Sequence, residues 1–261
     1  MPHYKPFDWY EQALYYDIIF DTDTEDEADF LEDVFDKHVL SRGKRVLEPA
    51  CGSGRLVREL ADRGYSVTGF DISDGMLRYA RESAKQRGVR AKLFKADMED
   101  FTVQGKFDLA HNVVSTFKYL PSDEAAERHL RRVADALKPG GVYVVGLHID
   151  DYDNDARGRE RWTGERNGLH VVCNIQGWPS DRRTRKAKLR SRLIVTNNGH
   201  TERYESHWQF HCYSFRQLKR LVNRVSDVLE HVETYDFNCD IEEPVPFDGE
   251  VGDNMLILRR K

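Results

Sequence analysis

The sequence predicts an α/β protein on a doubly wound, mostly parallel seven-stranded sheet, with an antiparallel β-meander inserted after the fifth strand. Three observations carry this. Apolar strand-like runs alternate with helix-like segments from Arg45 to His148. The alternation breaks between His148 and Tyr213 into segments of period two, and helix-then-strand patterning resumes towards the end of the chain. Strands alternating with helices bury a parallel sheet between two helical layers, whereas period two marks a half-buried antiparallel strand.

Residues 1–43 read as a helical cap. "TDTEDEADFLEDVFDKHVL" puts acids in a first turn, where they suit the helix dipole, and spaces Leu31, Val34 and Phe35 helically. That acidic run is a solvated face and no metal site is expected. Residues 44–147 hold the alternating core. "RVLEPA" is a strand, "GRLVRELADRG" a helix, "YSVTGFD" a strand and "SDGMLRYARESAKQRG" a helix with Ser73 as N-cap. "AKLFKAD" and "KFDLAHNVV" follow as strands, then an amphipathic helix "SDEAAERHLRRVADALKPGG" ended by Pro-Gly-Gly, then the strand "VYVVGLH".

Residues 148–212 form the insert, in three strands. Leu169, Val171, Cys173 and Ile175 share a face in the first, and Ala187, Leu189, Leu193 and Val195 in the second. Tyr204, Trp208, Phe210 and Cys212 align in the third, after the turn signal "NNG". Residues 213–261 return a helix, "SFRQLKRLVNRV", and two strands, "VLEHVETYDF" and "NMLILRR", that close the sheet.

The 261 residues suffice for one α/β domain with an insertion. A net charge of -5 gives no global pull towards nucleic acid or an anionic membrane. The four cysteines lie far apart without a CxxC pair. With no signal segment in "MPHYKPFDWY" and no long apolar run, a reduced cytoplasmic setting without membrane attachment is expected.

The stretch "VLEPACGSGRL" runs from a strand through a glycine loop into a helix. A dinucleotide loop needs a third glycine, where Val57 stands, and the acid Glu48 at the strand end would repel a pyrophosphate. A ligand with an ammonium group suits this loop better. Asp71, ending the next strand, stands where a carboxylate accepts the hydroxyls of a ribose. In "KADM", Asp97 can accept from an exocyclic amine and Met98 can cover a purine. Together these describe adenosine with an amino-acid-like tail, bound across the switch point.

The ordered set "VLEPACGSGRL", "VTGFDIS", "KADMED", "FDLAHNVVSTFKYL" and "LKPGGVYVV" resembles the class I S-adenosylmethionine-dependent methyltransferases, over about residues 44–147. Ala50 departs from the glycine often found there. The resemblance implies a Rossmann-like sheet with S-adenosyl-L-methionine as cofactor. It implies that Glu48, Ala50 and Gly52 border the methionine end, with Cys51 and Gly54 in the same loop and Met76 in the helix after the next strand. Asp71 would take the ribose, Ile72 would pack on the adenine, and Asp97 and Met98 would fix the adenine edge. Asn112 would face the sulfonium. "LYYDIIF" is similar to an element that closes over the cofactor in small-molecule members, which brings Tyr16 to the cofactor's carboxylate.

Methyl transfer from a sulfonium is an in-line displacement, so the protein mainly positions its reactants. An amine acceptor need only be neutral, whereas a hydroxyl needs a base. His148 is the first candidate base, standing where the insert departs over the site; His111, His207 and His211 are others, the last two on the polar face of the meander. The insert is similar in position to those of small-molecule N-methyltransferases acting on amino sugars and related amines. It would cover the substrate pocket, with Trp162 or Trp178 near the acceptor, or join two copies of the chain. A small-molecule acceptor is therefore expected.

The basic stretch "DRRTRKAKLRSR" raises a nucleic-acid alternative, but its charges alternate as a solvated strand face should, with Glu202 and Glu205 opposite as partners. An RNA or protein methyltransferase, a catalytically silent cofactor-binding scaffold and an oxidoreductase stay open as alternatives.

Overall fold

Val46 and Leu47 are adjacent on one strand, so their side chains point to opposite faces, yet both are fully buried. A strand like this must be covered on both sides, the condition of a parallel sheet between helical layers. The structure, a computed structural model describing residues 3–261, has that arrangement.

The chain begins with β1 (Lys5–Pro6), α1 (Ala13–Phe20) and α2 (Thr24–His38). Next come β2 (Arg45–Pro49), α3 (Arg55–Asp62), β3 (Ser66–Asp71), α4 (Asp74–Arg87), β4 (Lys92–Lys95) and β5 (Phe107–Asn112). Then follow α5 (Asp123–Ala136), β6 (Leu137–His148), and the insert of β7 (Arg159–Arg166), β8 (Leu169–Gly177), β9 (Lys186–Asn197) and β10 (His200–His211). The chain finishes with α6 (Phe215–Arg224), β11 (Leu229–Tyr235) and β12 (Asp253–Arg260).

The seven-stranded sheet has the order β11-β12-β6-β5-β2-β3-β4. The five strands from β4 to β6 pair in parallel, and β12 and β11 add antiparallel at one edge. Leu47, Phe70 and Tyr143 face α5 and α6, meeting Leu130, Val133 and Leu221. Val46, Leu109 and Val144 face the other layer, meeting Leu31, Val34 and Leu60 of α2 and α3. Each such side chain stabilises the fold by about 1.5–3 kcal/mol through removal from water. The chain winds outward one way from β2 and the other way from β5, so a crevice opens between their carboxyl ends.

The insert is a second sheet, ordered β1-β10-β9-β8-β7. It has four long strands where the sequence predicts three. β7, "RERWTGER", carries no apolar alternation because it is an edge strand with mostly exposed, charged side chains. The N-terminal segment also contributes a strand, Lys5–Pro6 pairing parallel with Tyr204 and Glu205. Pro-Gly-Gly does not end the helix before it: α5 stops at Ala136, and Leu137–His148 is already extended. Ser73 caps α4 as expected, accepting from the Met76 N–H at 3.1 Å.

The apolar face of the insert packs on α1, where Ile18 and Ile19 meet Val171, Cys173, Leu193 and Val195. A buried charge network locks the contact. Asp17 on α1 accepts from Arg58 of α3, Tyr79 of α4 and Arg166 of β7, each at 2.8 Å. Arg58 also donates to the Ser53 carbonyl of the glycine loop at 2.8 Å. Among the described residues, no helix is long and apolar enough to cross a membrane.

Candidate active site

A cleft of about 1370 Å³ opens along the carboxyl edge of the parallel strands, with the insert as its far wall. Pockets for a single small ligand span roughly 300–1,000 Å³, so there is room for a cofactor and an acceptor together. Tyr16, Ala50, Gly52, Asp71, Ile72, Asp97, Met98 and His148 all border it.

Asp71 ends β3 with one carboxylate oxygen on the Gly52 N–H at 2.9 Å and the other on the Ser73 N–H at 2.8 Å. Each oxygen keeps a lone pair for a further donor. Burial pushes the Asp71 carboxyl up, against those backbone donors. Ile72 beside it is 62% exposed, a flat apolar surface inside the cleft. Ala50 has φ 51°, in the left-handed region that disfavours a Cβ, which explains physically why a glycine would suit this position. The Tyr16 ring lies over Gly52, and burial pushes its hydroxyl up to about 12, so it stays protonated as a donor. Asp97 accepts the Glu99 N–H with one oxygen, at 2.8 Å, and is otherwise exposed.

Five other residues expected at the cofactor lie beneath the cleft and do not border it: Glu48, Cys51, Gly54, Met76 and Asn112. Cys51 is buried against Gly69, Met76 is fully buried, and Gly54 starts α3 in a left-handed conformation close against Ala80. Asn112 does not border the cleft, and both ends of its amide are engaged. Its Nδ2 donates to the Pro49 carbonyl, and its Oδ1 accepts from the Tyr143 hydroxyl at 2.6 Å. The Tyr143 hydroxyl also lies 2.9 Å from His129 Nε2, and His129 Nδ1 lies 2.7 Å from the Met98 carbonyl oxygen. This buried chain links the loop at Ala50 to the opposite wall at Met98.

Glu48 Oε2 is buried without a hydrogen-bond partner, 3.9 Å from His111 Nε2. Burial raises the Glu48 carboxyl to about 8, and burial with the nearby Arg55 guanidinium lowers His111 to about 3. Both are neutral at pH 7, and His111 sits in the core, out of reach as a base. The unfolded chain releases the Glu48 proton near pH 4.3, whereas the folded chain keeps it until about pH 8. Stability therefore falls as pH rises through that window. Glu48→Gln, which cannot ionise, is expected to gain Tm relative to the cofactor-free wild type between pH 5 and pH 8. Parallel Tm–pH curves for the two proteins would refute the assignment.

His148 borders the cleft with Nδ1 hydrogen-bonded to the Asp253 carboxylate and its ring 5.1 Å from that of Phe237. The hydrogen bond from His148 holds Asp253 below the usual carboxylate range. His207 is exposed and held by Glu205 at 3.0 Å. His211 is not on a solvated face: it is buried, with Nε2 3.3 Å from Asp123. Trp162 and Trp178 both border the cleft.

Several cleft residues were not read from the sequence. Arg55, paired with Glu27 at 2.5 Å, lies near Tyr16. Tyr10 and Tyr119 meet across the opening with hydroxyls 2.5 Å apart. Lys118 is buried against Asp150 at 2.8 Å, and Ser115 has φ 38°. The run "FDWY" was the available signal, since aromatics this dense near an end must be buried somewhere.

An open parallel sheet with a loop-to-helix turn at its switch point defines a Rossmann-like, nucleoside-binding class of protein. Residues 46–141 match the family described as "Methyltransferase domain". The chain is 25% identical over 187 residues to the sterol 4-C-methyltransferase strm-1 of Caenorhabditis elegans, covering 69% of this chain and 54% of that one. It is 32% identical over 100 residues to the dTDP-3-amino-3,4,6-trideoxy-alpha-D-glucopyranose N,N-dimethyltransferase of Streptomyces venezuelae, covering 38% and 40%. The chain spans about half the length of the curated relatives it matches. The solved structure of an S-adenosylmethionine-dependent methyltransferase from Clostridium acetobutylicum superposes with a TM-score of 0.74, at 16% identity and 96% coverage of both chains. Residues 46–141 thus match a methyltransferase domain, and the chain shares the fold of an S-adenosylmethionine-dependent methyltransferase.

Proposed function

We propose that this protein transfers a methyl group from S-adenosyl-L-methionine to a nitrogen or oxygen of a small molecule. The observation that carries the reading is the position of Asp71, a carboxylate held by two backbone N–H groups at the mouth of the switch point, with exposed Ile72 alongside. The bound cofactor would supply a methyl on a positively charged sulfur. Asp71 would accept from the ribose hydroxyls, Ile72 would cover the adenine, and the free oxygen of Asp97 would take the exocyclic amine. Tyr16 would meet the carboxylate of the methionine tail. His148 Nε2 would receive the acceptor's proton, its ring oriented by Asp253.

The amino-sugar dimethyltransferase relative supports a small acceptor. The basic strand face is partly neutralised, which weakens a nucleic-acid reading: Glu205 takes Arg192 at 2.6 Å and lies 3.9 Å from Arg190.

Asp71→Ala is expected to weaken S-adenosylhomocysteine binding by about 1.5–3 kcal/mol, the scale of hydrogen bonds to a charged group. Isothermal calorimetry checks it, with Asp71→Asn falling between the two. Equal affinity in wild type and Asp71→Ala would take Asp71 out of the ribose role.

A further inference from the structure

The acceptor half of the cleft is built for one type of charge. We propose, resting on the methyltransferase reading, that the acceptor is a ring-bearing amine that arrives as a cation and carries no phosphate.

Every basic side chain bordering the cleft is already engaged by a carboxylate. Arg55 is taken by Glu27 at 2.5 Å, Lys95 by Asp74 at 2.5 Å, Lys118 by Asp150 at 2.8 Å and His148 by Asp253. A phosphate ester needs a free guanidinium fork or ammonium, and here each would first have to leave its partner. The carboxylates are not matched in the same way. Asp8, Glu11 and Glu160 border the cleft, and among the described residues none has a cationic partner within 4.0 Å. The field inside is therefore negative, which draws in a cation and repels a diphosphate.

The wall opposite the glycine loop is aromatic. Trp162, Trp208, Phe210 and Tyr119 line it, with Leu189 and Ile175 between. Phe210 already holds an ammonium, Lys118 Nζ, 5.6 Å from its ring centroid. Aromatic faces beside carboxylates recognise organic cations through their ring quadrupoles. Two polar atoms wait without partners on this side. Among the described residues, Trp208 Nε1 is buried without an acceptor, and Ser115, itself buried in a strained backbone conformation, has an unpartnered Oγ. The dTDP-linked substrate named for the Streptomyces venezuelae relative has a diphosphate for which this cleft keeps no unpaired base.

The test uses a matched series on one ring: tryptamine as the cation, N-acetyltryptamine as the neutral form and indole-3-acetate as the anion, with uridine diphosphate glucosamine as the phosphate arm. Calorimetry first measures S-adenosylhomocysteine; each probe is then titrated into the saturated protein. Tryptamine is expected to bind about tenfold tighter than indole-3-acetate, with uridine diphosphate glucosamine weakest. The exposed Glu160 is then replaced together with Asp8, as Glu160→Gln and Asp8→Asn, and the preference for the cation is expected to fall to about twofold or less. Tighter binding of the anion or of the nucleotide sugar, no binding of any indole, or a preference untouched by the double variant would each overturn the proposal. Absence of S-adenosylhomocysteine binding would instead remove the methyltransferase reading beneath it.

Discussion

Asp17→Asn is expected to lower the folding stability by about 3–5 kcal/mol, the cost of removing one partner from a buried ion pair. Asp17 is almost wholly inaccessible and receives Arg58 and Arg166 at 2.8 Å each, so the amide would leave both guanidinium groups only the half-exposed Asp21, 2.8 Å from Arg166 and 3.9 Å from Arg58. At about 2–4 °C per kcal/mol for a chain of this size, Tm should fall by roughly 6–20 °C. Burial alone would raise the Asp17 carboxyl, but the guanidinium of Arg58 and the hydrogen bonds from Arg58 and Arg166 outweigh it and hold the group below the usual range. A depressed folded-state pKa contributes stability above the unfolded value, about 3.9, that is lost as pH falls through the folded one. The variant should therefore lack part of the wild type's steep acid limb. Because Arg58 also grips the Ser53 carbonyl, the loosened loop should bind S-adenosylhomocysteine less tightly. A Tm within 2 °C of wild type would show that the network adds little.

The parallel core was legible because its strands are buried on both faces and its helices are capped by recognisable residues, such as Ser73. β7 was not, since an edge strand with the sequence Arg159–Arg166 carries almost no apolar period. A signal was nevertheless present: Asn167 and Gly168 adopt the same pair of positive φ angles as Asn198 and Gly199, whose turn was recognised. Each marks a two-residue hairpin, and reading both would have yielded four strands. Asp71 and Ile72 were found at the cleft because a strand's carboxyl end at a switch point must open onto the ligand. Glu48 and Asn112 occupy the same edge of the sheet but do not border the cleft. Chain position says which end of the sheet a residue occupies, but its depth depends on partners such as Tyr143 and His111 on neighbouring strands. The meeting of Tyr10 with Tyr119, 109 residues apart, has no local signature at all.

His148→Gln should reduce kcat/KM by about 10²–10⁴-fold if its ring takes the acceptor's proton, the usual range for general base catalysis. His148 is half-exposed at the cleft, and Nδ1 is committed to Asp253, which fixes the ring and turns Nε2 into the free nitrogen. Glutamine preserves size and polarity but cannot carry the proton, so cofactor affinity and Tm should stay near wild type while the acid limb of the pH–rate profile flattens. Asp253→Asn tests orientation separately. It should lower kcat more than it raises KM, because Asp253 acts through the ring and only His148 meets the acceptor. A cationic amine makes the comparison sharper, since its ammonium must lose a proton before nitrogen can attack, and the rate of an acceptor already neutral at the assay pH should depend less on His148. Full turnover by His148→Gln from pH 6 to pH 9 on a protonated amine would mean that the proton leaves directly to water and that the His148–Asp253 pair only braces β6 against β12.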